Sequence, residues 1–300
     1  MKAIVIHRYG GPEVLRFEDA PDPVAAAGEV LVRVTATSIN PIDVKRRAGL
    51  AKDFFPIQFP GIIGVDVSGT VVGLGPGVEG LAAGDRVFGM AEHAYAELCV
   101  VKAANLAKIP EGLDFVDAAA LPLVTTTGSQ LITIGTGVKA GQTVLVTGAA
   151  GGVGRSAVFT AKGRGAVVIA GVRKRQLEEA VHLGADQVIA TDDDPNAGLA
   201  LDAVADAVDG KTAEQLIRAV KKGGVFASVL GPPKNAGEYP EVRVVPVYAQ
   251  PDPKILLDMA HAVKSGKLAI PIAMKLPLRD ASKGHEAAEK GGIGKIVLVV

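Results

Sequence analysis

The chain has 300 residues, which is long enough for two domains with sizeable cores. Its formal net charge is +0 and only 4% of its residues are aromatic, so neither nucleic-acid binding nor base-stacking platforms are expected. The single cysteine, Cys99, excludes an internal disulfide and any multi-cysteine zinc site. The N-terminal apolar run is too short for a signal peptide, and no apolar run is long enough to cross a bilayer. We therefore expect a cytoplasmic soluble protein with no membrane insertion.

The chain up to about residue 120 is predicted to be mainly β, because short β-branched runs alternate with turns rich in glycine and proline. Five glycines between Gly64 and Gly77 are typical of a barrel-like fold with tight bends. One short helix is predicted at 42–48. The predicted strands are 2–7, 15–19, 29–39, 65–72, 85–89 and 94–101.

From about residue 122 strands and helices alternate, which predicts an α/β fold with a doubly wound parallel sheet. The predicted strands are 143–147, 166–171, 187–191, 203–208, 225–230 and 242–248. The predicted helices are 127–133, 152–162, 176–183, 212–221 and 253–265. The final run KIVLVV at 295–300 does not fit the alternation, so we expect it to return to the first domain. The acidic run Asp192–Asp194 is interpreted as a solvated loop and not as a metal site.

The stretch VLVTGAAGGVG at 144–154 reads as the strand, tight turn and helix start of a dinucleotide-binding fold. Ala149 stands in the place of the first glycine of the usual pattern, while Gly151 and Gly154 keep the other two. Gly151 would let the backbone approach a pyrophosphate, and Gly154 would let helix and strand pack closely. The alternative is a tight turn that binds nothing. The residues assigned to the cofactor here are Gly148, Ala149, Ala150, Gly151, Gly152, Val153 and Gly154.

Three consecutive cations follow the second strand of this unit. A domain that prefers NAD places an acidic residue there to bind the ribose, but Arg173, Lys174 and Arg175 occupy the position in this chain. Clustered positive charge suits a 2′-phosphate, so NADPH is predicted as the cofactor. The alternative is a solvated helix start, although cations are unfavourable at a helix N-terminus.

The whole chain resembles the medium-chain dehydrogenase/reductase superfamily, and within it the zinc-free quinone oxidoreductase branch. The likeness runs from end to end in the right order. It is carried by GGPEVLRFED at 10–19, ATSINPIDVKRRAG at 36–49, FPGIIGVDVSGTV at 59–71, GDRVFGM at 84–90, AALPLVTTTGSQLI at 119–132, VLVTGAAGGVG at 144–154, LGADQVIAT at 183–191 and GKIVLVV at 294–300.

This resemblance implies a GroES-like substrate domain at 1–121, completed by 253–300, and a Rossmann NADP-binding domain at 122–252. It also implies a homodimer that reduces quinones or α,β-unsaturated carbonyls by hydride transfer from NADPH. Asn40 and Val65 stand where zinc-dependent relatives place a cysteine and a histidine, so no metal is expected. His93 is interpreted as a strand or loop residue and not as a ligand.

The resemblance further implies roles for individual residues around the nicotinamide, which is expected to face Asn40, Lys45 and Met90. Asn40 would lie near its ribose. Lys45 would stabilise the enolate that forms when a hydride reaches an enone; its alternative is a surface lysine beside Arg46 and Arg47. Asp43 is expected to pair with one of these three cations.

The remaining cofactor residues implied by the resemblance lie in the second domain. Thr127 would lie near the nicotinamide or cap a helix. Thr191 replaces a tyrosine that relatives often place near the adenine or 2′-phosphate. Backbone contacts to the ribose are expected from Leu230 and Gly231, and nicotinamide contacts from Val247 and Tyr248.

Two other functions stay open at this point. One is reduction of saturated aldehydes or ketones, which the lack of a metal or a clear proton donor disfavours. The other is a non-catalytic, NADPH-binding regulatory protein.

Overall fold

The computed structural model describes residues 1–192, 198–208, 210–292 and 294–300. Asp193 and Asp194 of the acidic run therefore lie outside the described residues. The chain divides into two compact units. The first unit comprises Met1–Leu123 and Pro251–Val300, and the second comprises Val124–Gln250.

The first unit is built on two sheets. The strands are β1 (Lys2–Ile6), β2 (Arg16–Asp19), β3 (Glu29–Ile39), β4 (Gly61–Ile62), β5 (Asp66–Leu74), β6 (Arg86–Met90), β7 (Leu98–Lys102), β8 (Leu106–Lys108), β15 (Ile272–Pro277) and β16 (Lys295–Val299). The three-stranded sheet has the order β2-β1-β4, and the larger one has the order β15-β16-β3-β5-β6-β8, with β7 also paired to β3. The helices are α1 (Pro41–Ala48), α2 (Phe115–Ala119), α7 (Pro253–Lys264) and α8 (Ala281–Lys290).

The last strand does return to the first unit. β16 pairs antiparallel with β3, which places Ile296 opposite Ile39 and Leu298 opposite Thr37. Ile296 and Leu298 then pack in a core with Ile4 of β1. Burial of these apolar side chains explains why a run without a place in the alternating pattern lies in this sheet.

The second unit contains the predicted doubly wound parallel sheet. The six strands are β9 (Thr143–Thr147), β10 (Val167–Val172), β11 (Gln187–Ala190), β12 (Leu201–Asp206), β13 (Val220–Ser228) and β14 (Arg243–Pro246). Their order in the sheet is β11-β10-β9-β12-β13-β14, and all are parallel to their neighbours. The helices are α4 (Gly152–Gly163), α5 (Leu177–Ala180) and α6 (Gly210–Leu216), and α3 (Pro122–Gln130) spans the boundary with the first unit.

Several predicted element boundaries are wrong. The helix predicted at 212–221 ends at Ala219 after a 3-10 turn, and Val220 already belongs to β13, where it pairs with Leu201 and is buried. The helix predicted at 127–133 begins at Pro122, since proline suits a first helical turn, and continues as a π-helical segment over Leu131–Thr136. Helices α2 and α8 were not predicted. No helix in the described ranges has the length and apolar character of a membrane span.

Candidate functional site

The glycine turn joins β9 to α4 at the carboxyl edge of the parallel sheet. Gly148 adopts the left-handed conformation, with φ of 58°, so the position that needs glycine for its backbone angle lies one residue before Ala149. A Cβ on Gly154 would lie 2.2 Å from the carbonyl oxygen of Gly148, which explains the glycine at that helical position. The turn is closed by the N–H of Gly151, which donates to the Gly148 carbonyl at 2.9 Å.

The start of α4 offers backbone donors. Its first intrahelical bond runs from the N–H of Arg155 to the carbonyl of Gly151 at 2.8 Å. The preceding N–H groups, of Gly152, Val153 and Gly154, have no acceptor within the helix, as at every helix start. Such groups bind phosphate, and a Cβ at Gly151 would meet only the Gly148 carbonyl within 4 Å. The turn therefore has the donors and the open space that a pyrophosphate needs.

Arg155 supports this turn and was missed in the sequence. Its Nε donates to the carbonyl of Ala150 at 2.8 Å, and its Nη2 pairs with Glu179 of α5. The carbonyl of Ala150 is thereby held by a side chain. The only feature of the sequence that pointed to this role is the position of an arginine near the start of the helix, and that position does not reveal which groups the arginine contacts.

The predicted 2′-phosphate residues lie at the end of β10. Arg173 precedes a 3-10 turn over Lys174–Gln176, and all three cations, Arg173, Lys174 and Arg175, are exposed. Thr191, at the end of the neighbouring strand β11, donates from Oγ1 to the carbonyl of Val172 at 3.1 Å. The structure thus brings Thr191 to the same edge as the cations.

A carboxylate also reaches this edge, and the sequence spacing did not predict it. Asp192 follows β11, and its Oδ2 accepts a hydrogen bond from the backbone N–H of Lys174 at 2.9 Å. The acidic residue that the NAD pattern places after the second strand is supplied here from the third strand.

The other assigned residues of the second unit differ in exposure. Leu230 and Gly231 follow β13, and Val247 follows β14, so they lie at the same carboxyl edge as the turn. Leu230 is partly exposed, whereas Val247 is buried in the core beside Gly135. Tyr248 is exposed. Thr127 is buried in the interior of α3, so the suggested helix-capping role is wrong.

A buried polar network joins three strand ends at this edge. Asp206, the last residue of β12, accepts from Thr147 Oγ1 through Oδ1 and from Ser228 Oγ through Oδ2, both at 2.8 Å. Ser228 Oγ in turn accepts from the N–H of Leu230 at 3.1 Å. These bonds fix the strand ends from which the glycine turn and the Leu230 segment start.

In the first unit, Asn40 belongs to a buried cluster of four residues: Ser38, Asn40, Asp66 and Lys295, which we call the Asp66 cluster. Asn40 is 1% exposed, Asp66 0% and Lys295 8%. Lys295 Nζ donates to Asn40 Oδ1 at 2.7 Å and to Asp66 Oδ2 at 3.1 Å. Asn40 Nδ2 donates to Asp66 Oδ2 at 2.8 Å, and Ser38 Oγ donates to the same oxygen. Asp66 Oδ1 accepts the N–H of Leu123 at 2.8 Å.

The cluster gives Asn40 a structural role. Its amide oxygen accepts from a buried cation and its amide nitrogen donates to a buried carboxylate, while its backbone begins α1. The side chain is therefore held in one orientation. The sequence could not reveal Asp66 or Lys295 as its partners, because they lie 26 and 255 positions away along the chain.

The three cations of α1 face different surroundings. Lys45 is exposed, while Arg46 and Arg47 are buried. Arg47 pairs with Glu289 of α8. Asp43 was expected to be a partner of one cation, but its Oδ2 accepts the N–H of Asn40 at 2.9 Å, and burial raises the pKa of Asp43 to about 7.

A second buried group lies beside Arg47. Tyr95 Oη and His285 Nε2 are 3.2 Å apart, and their rings meet edge to face. Burial, aided by the charge of Arg47, lowers the pKa of His285 to about 3, so this imidazole is neutral at physiological pH. Burial also raises the pKa of Tyr95 well above its usual value.

Neither of the two positions at which zinc-dependent relatives place a ligand carries a good zinc ligand in this chain. Val65 has an isopropyl side chain, and the amide of Asn40 is already bonded to Lys295 and Asp66. His93 is exposed, and its Nδ1 lies 2.8 Å from the carbonyl of Ile62. Within the part of the chain that the structure describes, no group of three or more His, Cys, Asp and Glu side chains is arranged to hold a metal ion.

Comparison with known proteins shows the family to which the chain belongs. Residues 26–111 match the family described as alcohol dehydrogenase GroES-like domain, and residues 183–298 match the one described as zinc-binding dehydrogenase. The chain is 31% identical to the chloroplast envelope quinone oxidoreductase homolog of Arabidopsis thaliana, with 99% of this chain and 98% of that protein covered. It is 34% identical to the NADPH-dependent alkenal/one oxidoreductase of the same plant, over 77% of this chain and 63% of that protein.

The likeness extends to three dimensions. The solved structure of the quinone oxidoreductase from Coxiella burnetii is 33% identical, matches with a TM-score of 0.89, and is covered to 99% by the whole of this chain. The chloroplast envelope homolog and this solved structure both match over nearly the full length. The chain therefore belongs to the zinc-free quinone oxidoreductase branch of the medium-chain dehydrogenase/reductase superfamily.

Proposed function

We propose that the protein reduces quinones or α,β-unsaturated carbonyls with NADPH and without zinc. The observation that carries this proposal is the combination, at one sheet edge, of an open glycine turn with three exposed cations at the end of the neighbouring strand β10. The kinship with a quinone oxidoreductase homolog and an NADPH-dependent alkenal/one oxidoreductase supports it.

The residues of the second unit fit NADPH. The N–H groups of Gly152, Val153 and Gly154 would bind the pyrophosphate, with Gly148, Ala149, Ala150 and Gly151 forming the turn around it. Arg173 and Lys174 would bind the 2′-phosphate, and Thr191 would lie beside the adenosine. The ribose and nicotinamide would be contacted by Thr127, Leu230, Gly231 and Val247. When bound, NADPH supplies the hydride.

In the first unit, Lys45 would stabilise the negative charge that develops on the carbonyl oxygen of the substrate. The proton that this oxygen or the α-carbon finally takes up would come from water or from Lys45. Its side chain is exposed and therefore free to meet a ligand. Asn40 would act as a positioning residue, since the Asp66 cluster fixes its amide and its backbone begins the helix that carries Lys45. We also propose a cytoplasmic homodimer with small-molecule substrates and no nucleic-acid partner.

Absorbance loss of NADPH, followed in parallel with 1,4-benzoquinone, a 2-enal and a saturated aldehyde, tests the proposal. We expect turnover with the quinone, the enal or both, and none with the saturated aldehyde. Turnover of the saturated aldehyde alone would contradict the proposed substrate class. Binding of NADPH without turnover of any of the three would favour a regulatory protein.

A further inference from the structure

A cavity of about 590 Å³ lies in the first unit. Its walls come from β1, from the end of β2 and from residues 56–62, which lead into β4, and α1 contributes a single side chain, Arg46. Neither Asn40 nor Lys45 lines it. Its volume lies within the range of small-molecule sites, which is roughly 300–1,000 Å³.

Arg46 is the unusual member of this wall. The residue is 9% exposed, and its Nε is buried with no hydrogen-bond partner within the described ranges. The adjacent Arg47 also has two buried nitrogens without a partner in the described ranges, Nε and Nη1, but its Nη2 pairs with Glu289, and Arg47 does not line the cavity. Asp43 lies near enough to interact with the charge of Arg46, but a carboxyl with a pKa of about 7 is only partly ionised at neutral pH. A buried guanidinium without a full counter-charge is unfavourable and attracts an anion.

The acidic residues of the wall do not supply that counter-charge. Glu18 pairs with His7 at 2.6 Å, and Asp19 pairs with Lys2 at 2.9 Å. Glu92 is exposed at the wall, where water screens its charge. These three carboxylates repel any anion in the cavity, and they repel a doubly charged anion such as phosphate more strongly than a singly charged one.

The remaining wall is largely apolar. It includes Val5, Ala20, Ile57, Phe59 and Ile62. An apolar wall around one buried guanidinium suits a ligand with a hydrophobic body and one flat, singly charged acceptor group, because the guanidinium fork matches a carboxylate.

We propose that this cavity is a binding site for a small monocarboxylate with an aromatic or branched aliphatic body. The carboxylate bonds to the guanidinium of Arg46, and the body packs against Ile57, Phe59 and Ile62. Because Arg46 directly follows Lys45 on α1, occupation of the cavity also restrains the helix that carries the proposed active-site lysine. The binding itself does not depend on the proposed reaction.

The test is a calorimetric titration of the full chain with phenylacetate, with NADPH present at saturation to occupy the cationic sheet edge. We expect one saturable site. Phenylacetamide, the neutral analogue, and inorganic phosphate should both bind at least about tenfold more weakly. Equal binding of the neutral amide, or tighter binding of phosphate, would overturn the assignment.

Variants locate the site. Arg46→Met should weaken phenylacetate binding by about tenfold or more. The matched control is Lys52→Met, an exposed cation that does not line the cavity, which should leave binding unchanged. Glu92→Gln removes a repulsive charge from the wall without touching the core, so it should strengthen binding by about twofold at low salt. An unchanged affinity in Arg46→Met would refute the proposal. If Arg46→Met does not fold, weaker or unchanged binding by Glu92→Gln would refute it instead.

Discussion

Replacement of Lys295, the cation of the Asp66 cluster, is the most direct test of how this buried cluster stabilises the first unit. In Lys295→Met, the carboxylate of Asp66 stays fully buried with only neutral donors, from Ser38, Asn40 and the N–H of Leu123. The amide oxygen of Asn40 loses its donor at 2.7 Å. Breaking a buried pair costs about 3–5 kcal/mol, and because three neutral donors remain we expect the lower end, about 3 kcal/mol.

Hydrogen exchange followed by mass spectrometry is the suitable assay, since two units need not unfold together and a single unfolding free energy is then not defined. A loss of about 3 kcal/mol corresponds to more than 100-fold faster exchange for amides that open only when the unit unfolds. We expect this acceleration in β3 and β16, whereas β9 and β10 of the second unit serve as the internal reference. Exchange in β3 and β16 within about threefold of wild type would refute the reasoning.

Two variants separate charge from packing. In Lys295→Met/Asp66→Asn, no charge remains in the Asp66 cluster, so about 2 kcal/mol of the loss should be recovered. The control is Lys254→Met on α7, where the pair with Asp258 at 2.7 Å is exposed and should contribute less than about 0.5 kcal/mol. If the double variant recovers no stability, the stability lost in Lys295→Met is due to the shape of the lysine side chain and not to its charge.

Four further predictions concern the cofactor edge, α1 and its neighbours. Arg173→Ala should weaken NADPH binding about fivefold or more and leave NADH nearly unchanged by titration; equal losses would contradict the 2′-phosphate role. Asp192→Asn removes the opposing carboxylate, so the ratio of NADPH to NADH affinity should rise at least about twofold; a fall would contradict it. Lys45→Met should lower kcat about tenfold at an unchanged NADPH Kd, whereas an unchanged kcat would identify a surface lysine. The fourth prediction rests on two shifted pKa values. Because the pKa of His285 is lowered to about 3, this residue destabilises the fold as pH falls below 6.5. Because the pKa of Asp43 is raised to about 7, that residue destabilises the fold as pH rises above 3.8, so the two pH dependences have opposite signs. In His285→Gln, the denaturant midpoint of the first unit should therefore fall relative to that of the wild type as pH rises from 4 to 6.5, and a difference that does not change with pH would contradict this balance.

The parallel sheet and its glycine turn could be predicted because the signal is local. Alternating apolar strands and helices specify the doubly wound order, and the small residues of the turn occupy consecutive positions, so both patterns are readable without tertiary information. The return of 295–300 to the first unit was predictable for the same reason, because a strand outside the alternation needs another sheet to pair with.

The polar partners within each unit could not be predicted. Asp66 and Lys295 are 229 positions apart, and nothing local distinguishes Lys295 from an exposed lysine at the start of a strand. The role of Asp192 could not be predicted for a different reason. The spacing rule looks for an acid after the second strand, whereas this acid follows the third and reaches Lys174 across the strand ends.

The Asp66 cluster also changes what Asn40 is able to contribute. A free amide would be a donor and acceptor for a cofactor or substrate, but Lys295 already donates to its oxygen and Asp66 already accepts from its nitrogen. The second amide hydrogen points to the carbonyl of Ser38 at 3.5 Å. Any ligand contact made by this side chain would have to replace a charge-assisted bond in a buried site, which is unfavourable. Asn40 therefore serves the proposed reaction best by fixing the start of α1, and the group on this helix that remains free to meet a substrate is Lys45.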